Sequence, residues 1–185
     1  YTCAMGHSMG GGAAVLAASQ GTIFDCYLGL APAETTPSAI AAAATLQIPS
    51  LILSGSNDGV TPPAQHHIPI YDAIPHECKS FANLIGGGHC YYANANFNCD
   101  FGESTTSTGI SLTRAQQQSL MYQQIFSWLS YFLNSSCVGY EVFMNYPISG
   151  IDLNTTCPAF DSNPVVIIQN GNILSTTTQA NSFQW

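Results

Sequence analysis

Short apolar runs of strand length recur along the first half of the chain, and each is followed by a stretch of helical composition. Tyr1 to Met5 precedes the alanine-rich run Ala13-Ala14-Val15-Leu16-Ala17-Ala18, which is strongly helical and ends near Gly21, a plausible cap. Ile23 to Leu30 and Pro49 to Gly55 are mostly apolar throughout, as parallel strands buried on both faces must be. Ser38 to Leu46 reads as a helix or helical turn, and Ala64 to Ile74 as an amphipathic helix that Pro69 should kink or break early. Lys79 to Ile85 alternates well enough for a further strand. Thr113 to Leu133 is a long helix, capped by Ser111 or Thr113, with Leu120, Ile125, Phe126, Leu129, Phe132 and Leu133 on its apolar face. This alternation predicts an α/β fold with a mostly parallel sheet flanked by helices over residues 1–136. Beyond Asn134, Pro147, Gly150, Pro158 and Pro164 punctuate a segment without helical periodicity. Val165 to Ile168 and Asn172 to Thr176 around Asn170-Gly171 then predict a hairpin, so residues 137–185 read as a loop- and β-rich extension.

The first strand and helix meet at Gly6-His7-Ser8-Met9-Gly10. A G-x-S-x-G run between a strand and a helix makes a nucleophile elbow, a sharp turn in which the glycines let backbones approach and the serine stands exposed. Glycine and serine are frequent here, so the pattern alone is weak; the strand before it and the helix after it give it force. The Met9 N–H, at the start of that helix, is placed to donate to an oxyanion. Two loops at later strand ends supply partners. Asp58 follows the third strand, in Asn57-Asp58-Gly59, where an Asp most often caps a turn but where the acid of a Ser, Asp, His order also falls. His89 ends Gly86-Gly87-Gly88-His89, a loop free enough to bring an imidazole over the sheet edge toward Ser8. His7, beside the nucleophile, and Ala33, in the loop after the second strand, are candidate substrate contacts. Tyr91 and Tyr92 either bind a substrate chain or pack their own loop. The segment 90–107 reads as a polar, aromatic loop, and Asp100 and Glu103 within it are rival acids out of order.

Composition narrows the partners. With Lys79 and Arg114 as the sole strong cations and a formal net charge of −8, no basic patch can form, which excludes nucleic acid and anionic membrane surfaces. No apolar run is long enough for a transmembrane helix. Seven cysteines point to an oxidising compartment. Cys90 with Cys99 is the best pair, Cys137 with Cys157 a second, and Cys3 and Cys26 read as buried thiols. There is no C-x-x-C spacing for zinc, and the adjacent His66 and His67 diverge on a helix, so no metal site is expected. His76 sits in a turn before the strand at Lys79.

Three stretches carry a resemblance: Gly6 to Gly12, Asn57 to Pro62 followed by His67-Ile68-Pro69-Ile70-Tyr71, and Gly88-His89. Residues 6–133 resemble the C-terminal half of a secreted α/β-hydrolase of the cutinase and polyester-hydrolase type, within the dienelactone-hydrolase-like group. The resemblance implies Ser8 as nucleophile, Asp58 as acid, His89 as base, half an oxyanion hole at Met9, an ester substrate, small molecule or polymer, and no cofactor. It also implies that several strands and the second oxyanion donor precede Tyr1, so the residues given are expected to be inactive by themselves. Two departures stand out. Ala33 occupies the place of a substrate-clamping tryptophan, and Cys90 that of an aromatic after the base, which leaves Tyr91, Tyr92 or Phe97 to form any platform. The tail from Gly171 to Trp185 resembles β-rich C-terminal regions of secreted Bacteroidetes-type proteins, consistent with an extracellular bacterial protein. The expected activity is serine ester hydrolysis. The alternatives are a non-catalytic binding protein on the same fold or, among enzymes, a peptidase, thioesterase or lactone hydrolase, because fold does not fix the leaving group.

Overall fold

The computed structural model describes residues 1–21 and 23–159, together with the backbone of 167–170 and 173–176. Its elements in chain order are β1 (Cys3–His7), α1 (Met9–Ala18), β2 (Cys26–Leu30), α2 (Ala39–Ala43), β3 (Ser50–Gly55), α3 (His67–Ala73), β4 (Lys79–Leu84), α4 (Phe97–Thr106), α5 (Arg114–Asn134), α6 (Cys137–Asn145), β5 (Ile151–Thr155), β6 (Ile167–Asn170) and β7 (Ile173–Thr176). The first five strands form one sheet in the order β1-β2-β3-β4-β5. β1 to β4 are parallel, and β5 adds antiparallel to β4. The sheet divides two apolar cores, as the burial of β2 and β3 on both faces requires. On one face α1, α2 and α3 bring Val15, Ala39, Ala43, Ile70 and Ile74 against Tyr27 and Ile52. On the other, α5 brings Met121, Ile125 and Trp128 against Leu28, Leu30, Leu51, Leu53 and Leu84. Thr113 caps α5: its Oγ1 accepts from Gln116 N–H at 3.3 Å, while its own N–H donates to Gln116 Oε1 at 2.8 Å.

Several expectations need correction. The helix expected from Ala64 starts instead at His67, which puts Pro69 in the first turn, where a missing N–H is no loss. The presumed loop 90–107 contains α4, whose Asn96 side chain accepts from the N–H groups of Asn98 and Cys99. The segment after Asn134 holds a helix, α6, packed on α5, and β5 then joins the main sheet, so described structure runs across residue 136 as far as Thr155. Cys157 is bonded to Cys78 rather than Cys137, because the β4–β5 register sets Ser80 opposite Thr155 and thus the start of β4 beside the end of β5. That bridge spans 79 positions and Cys90–Cys99 spans 9; the chain-entropy model gives them about 4.5 and about 2.5 kcal/mol. Cys3 and Cys26 stand opposite each other on β1 and β2 without a disulfide, and a hydrogen bond to Cys26 and burial push the Cys3 thiol well up. β6 and β7 pair antiparallel, as the hairpin reading required, whereas Val165, Val166, Gly171 and Asn172 lie outside the described residues.

Candidate active site

Parallel strands deliver the ends of β1, β3 and β4 to one edge of the sheet, and the three candidate residues follow those ends. At the elbow, Ser8 has φ 57° and links β1 directly to α1. A non-glycine residue with positive φ is strained by about 1 kcal/mol or more, so its surroundings must hold it there. They do: Ser8 N–H donates to Leu30 O at 2.9 Å, and Ser8 O accepts from the N–H groups of Gly11 and Ala33, both at 2.9 Å. The turn needs glycine at position 6, where a Cβ would lie 2.1 Å from Gly10 O.

Asp58 does both things its position allowed. Its Oδ1 accepts from the N–H groups of Val60 at 2.9 Å and Thr61 at 2.8 Å, the ordinary turn-capping role. Its Oδ2 is left to face His89 Nδ1 at 2.7 Å. The far nitrogen of that ring, His89 Nε2, lies 2.9 Å from Ser8 Oγ. Because an ionised carboxylate only accepts, the proton belongs on Nδ1 and the lone pair of Nε2 faces the serine hydroxyl. Asp58 and His89 are buried, and Ser8 is half-buried. Burial alone pushes the Asp58 carboxyl up, but the hydrogen bond and charge of His89 and the Thr61 amide outweigh it, holding the group below its ordinary value.

Polar side chains fix the loop that carries His89. Glu103, from α4, accepts from the N–H of His89 through one carboxyl oxygen and from that of Cys90 through the other, at 3.1 Å. Gln117, from α5, clamps Gly88 on both sides, accepting from its N–H at 2.9 Å and donating to its carbonyl at 2.8 Å. Arg114 donates to the carbonyls of Cys90 and Ala93 at 2.6 and 2.7 Å, pairs with Asp100 at 2.5 Å and lies over the Tyr91 ring. Thus Asp100 answers Arg114 and Glu103 holds backbone, and neither partners the side chain of His89 or Ser8. On the acid side, Thr61 Oγ1 touches Asp58 and His89, and His67 stands behind it with Ser54.

Glu103 was read from the sequence only as a rival acid and His67 only as one of two diverging histidines, and neither Gln117 nor Thr61 was given a role of its own. For His67 a signal existed. It shares the i, i+3, i+4, i+7 pattern with Ile70, Tyr71 and Ile74, all buried, so a histidine was bound for the core and had to find partners there. His66, on the other side, accepts from Glu34 N–H at 3.0 Å.

The proposed substrate contacts fare unevenly. Ala33 is buried under the elbow, with its N–H on Ser8 O, so its methyl forms no part of an open wall. Tyr92 is buried in the core with its ring 5.8 Å from that of His7, and Tyr91 is half-buried with Arg114 over its ring. His7 is half-buried, with its Nε2 3.0 Å from His89 O and its ring 4.6 Å from that of His89; burial keeps its pKa below the ordinary value. It braces the base. Phe97 remains 81% exposed and stacks on Phe101. Among the described residues no group of three or more His, Cys, Asp or Glu side chains could hold a metal ion.

A mostly parallel sheet flanked by helices, with a strained serine between strand and helix, defines the α/β-hydrolase class. Within it, the family model described as PET hydrolase-like matches residues 1–144, and the chain belongs to that family. Membership places it among ester hydrolases. The match runs into α6, past the boundary that composition set at 136. Among the described residues no helix is long and apolar enough to cross a membrane, and the two disulfides are compatible with secretion.

Proposed function

We propose that the chain is an extracellular serine esterase that cleaves carboxylic esters, including polyesters of the cutin type, through an acyl-enzyme on Ser8. The observation carrying this reading is the unbroken contact series from Asp58 Oδ2 to His89 Nδ1 at 2.7 Å and from His89 Nε2 to Ser8 Oγ at 2.9 Å. His89 Nε2 takes the hydroxyl proton as Ser8 Oγ bonds to the ester carbonyl carbon. Charge moves to the carbonyl oxygen, where the Met9 N–H at the head of α1 is a donor. Collapse breaks the bond to the alcohol, which leaves with the proton from His89. Water, deprotonated by the same nitrogen, then attacks the acyl-enzyme and frees the acid and Ser8.

Asp58 holds the ring in the tautomer this sequence of transfers needs. An ester is favoured by membership of the PET hydrolase-like family rather than by the three side chains themselves, since an alcohol and an amine leaving group each take one proton from the same imidazole. The test uses the full-length protein. A fluorophosphonate probe should label Ser8, and Ser8→Ala should lose both labelling and p-nitrophenyl ester hydrolysis, by about a thousandfold or more. Hydrolysis that survives Ser8→Ala defeats the reading, as does a folded protein that never labels, which would make the chain a binder on a hydrolase fold.

A further inference from the structure

Thr61 Oγ1 stands at a junction, 3.0 Å from Asp58 Oδ2, 3.0 Å from His67 Nε2 and 2.8 Å from His89 Nδ1. It has one proton and two lone pairs for these three neighbours. Given to His67, that proton would leave two oxygen lone-pair sets facing each other across the Thr61–Asp58 contact. Given to Asp58, it completes a charge-assisted bond, and the two lone pairs of Thr61 are free for N–H groups. His89 Nδ1–H, directed chiefly at Asp58, approaches one of them. The other requires a proton on His67 Nε2. His67 Nδ1 is then an acceptor, and Ser54 Oγ, 2.9 Å away, donates to it. Every donor and acceptor in this cluster is satisfied by that one direction.

The cluster is dry. Ser54 and His67 are fully buried and Thr61 nearly so. Burial, the largest influence on His67, holds its pKa down to about 3. The charged or titratable groups that bear on it are Asp58, His89, His66 and His7. Although His67 Nε2 is 3.7 Å from Asp58 Oδ2, the ring is neutral at ordinary pH, so this contact is no ion pair. A neutral imidazole can only pass polarisation along through its N–H.

We propose that Thr61 and His67 are positioning residues for the candidate base: the donor chain from Ser54 through His67 and Thr61 ends on Asp58 Oδ2 and weakens that oxygen's hold on the proton of His89. Asp58 Oδ2 is shared between two donors, so charge drawn toward Thr61 is charge not offered to His89. With the hydroxyl present, Asp58 Oδ2 offers less charge to a doubly protonated ring than it would with His89 as its only donor beside it. The proposal rests on the assignment of Ser8, Asp58 and His89 as the reacting group, acid and base.

The experiment follows the pH dependence of kcat/KM for a p-nitrophenyl ester and of fluorophosphonate labelling of Ser8, in the full-length protein. Thr61→Val should move the acidic limb up by about one pH unit. Thr61→Ser should restore it. His67→Phe should move it the same way by about half as much, and His67→Phe added to Thr61→Val should add nothing, because His67 acts only through the hydroxyl. A side chain that merely supports the fold would lower the melting temperature and leave the limb in place. An unmoved limb in folded Thr61→Val, additive shifts in the pair or a Thr61→Ser limb that stays with valine overturns the proposal; if Thr61→Val does not fold, an unmoved limb in His67→Phe does so. Labelled wild type with an unmoved limb removes this inference alone, whereas wild type that never labels removes the esterase reading with it.

Discussion

The two sides of the candidate site are built from different materials. The nucleophile side is a backbone device: Gly6 lets α1 close over β1, Ser8 takes a positive φ, and main-chain hydrogen bonds from Gly11 and Ala33 hold it. The acid and base side is a side-chain device. Asp58, Thr61, His67, His89, Glu103 and Gln117 are all buried polar groups that satisfy one another or a loop backbone. A strained turn is robust to pH and intolerant of added atoms. A dry polar cluster tolerates no lost partner and responds to protons.

The largest effect should come from adding one carbon to the backbone side. In Gly6→Ala the Cβ would sit 2.1 Å from Gly10 O, with no flexible atom to yield. We expect a loss on the order of 3 kcal/mol in urea denaturation. Gly10→Ala, in the same pentapeptide, meets nothing within 4 Å and should melt at or above wild type, since alanine favours the helix. Equal tolerance of both substitutions would break the picture of an elbow set by close approach.

This division also decides what could be read from the chain. The elbow was legible because its residues are adjacent and their spacing is itself the geometry. Strand composition made the parallel sheet legible, and chain order led to Asp58 and His89. The braces were not legible, since Glu103 reaches His89 over 14 positions and Gln117 reaches Gly88 over 29. α4 and α6 were missed for a related reason. α4 carries few apolar residues and leaves Phe97 and Phe101 exposed, so it shows no buried stripe. α6 is short and sits between Ser136, its cap, and Pro147, where the punctuation of the segment masks it. Cys78–Cys157 follows from the β4–β5 register, and β5, with half-buried and exposed residues alternating, gave no apolar run by which to place it.

A middle-sized effect tests the proton sensitivity of the side-chain device. The His67 pKa is about 3 in the folded protein against 6.5 for an ordinary histidine. Between those values the unfolded chain binds a proton that the native state does not, so the stabilisation is fully present above 6.5 and is lost as pH falls toward 3. The slope is about 1.4 kcal/mol per pH unit. Thermal melts from pH 7 to pH 5 should therefore show wild type losing stability faster than His67→Gln, which titrates no group at that position. Parallel curves for the two proteins would mean that position 67 is not a buried neutral imidazole.

The smallest effect is the most discriminating, because it asks whether a brace that never touches substrate matters to the chemistry. Both carboxyl oxygens of Glu103 receive backbone N–H groups, those of His89 and Cys90, and a Cβ on Gly88 would collide with the same carboxyl group. Glu103→Gln keeps the volume but replaces one acceptor by an NH2 that must face an N–H, so one of the two bonds is lost and its donor is left in a buried place. The base loop then shifts by a fraction of an ångström, and His89 Nε2 loses its alignment on Ser8 Oγ. Substrate binding does not involve that alignment until the proton moves. The expected result is therefore a fall of about tenfold in kcat with KM nearly unchanged, while Ser8→Ala remains far more severe. Glu103→Asp, which keeps both oxygens on a shorter arm, should recover part of the rate. If instead KM rises and kcat holds, α4 shapes the substrate cleft rather than the base, and the contrast between a backbone-built nucleophile and a side-chain-built base would have to include binding on the same helix.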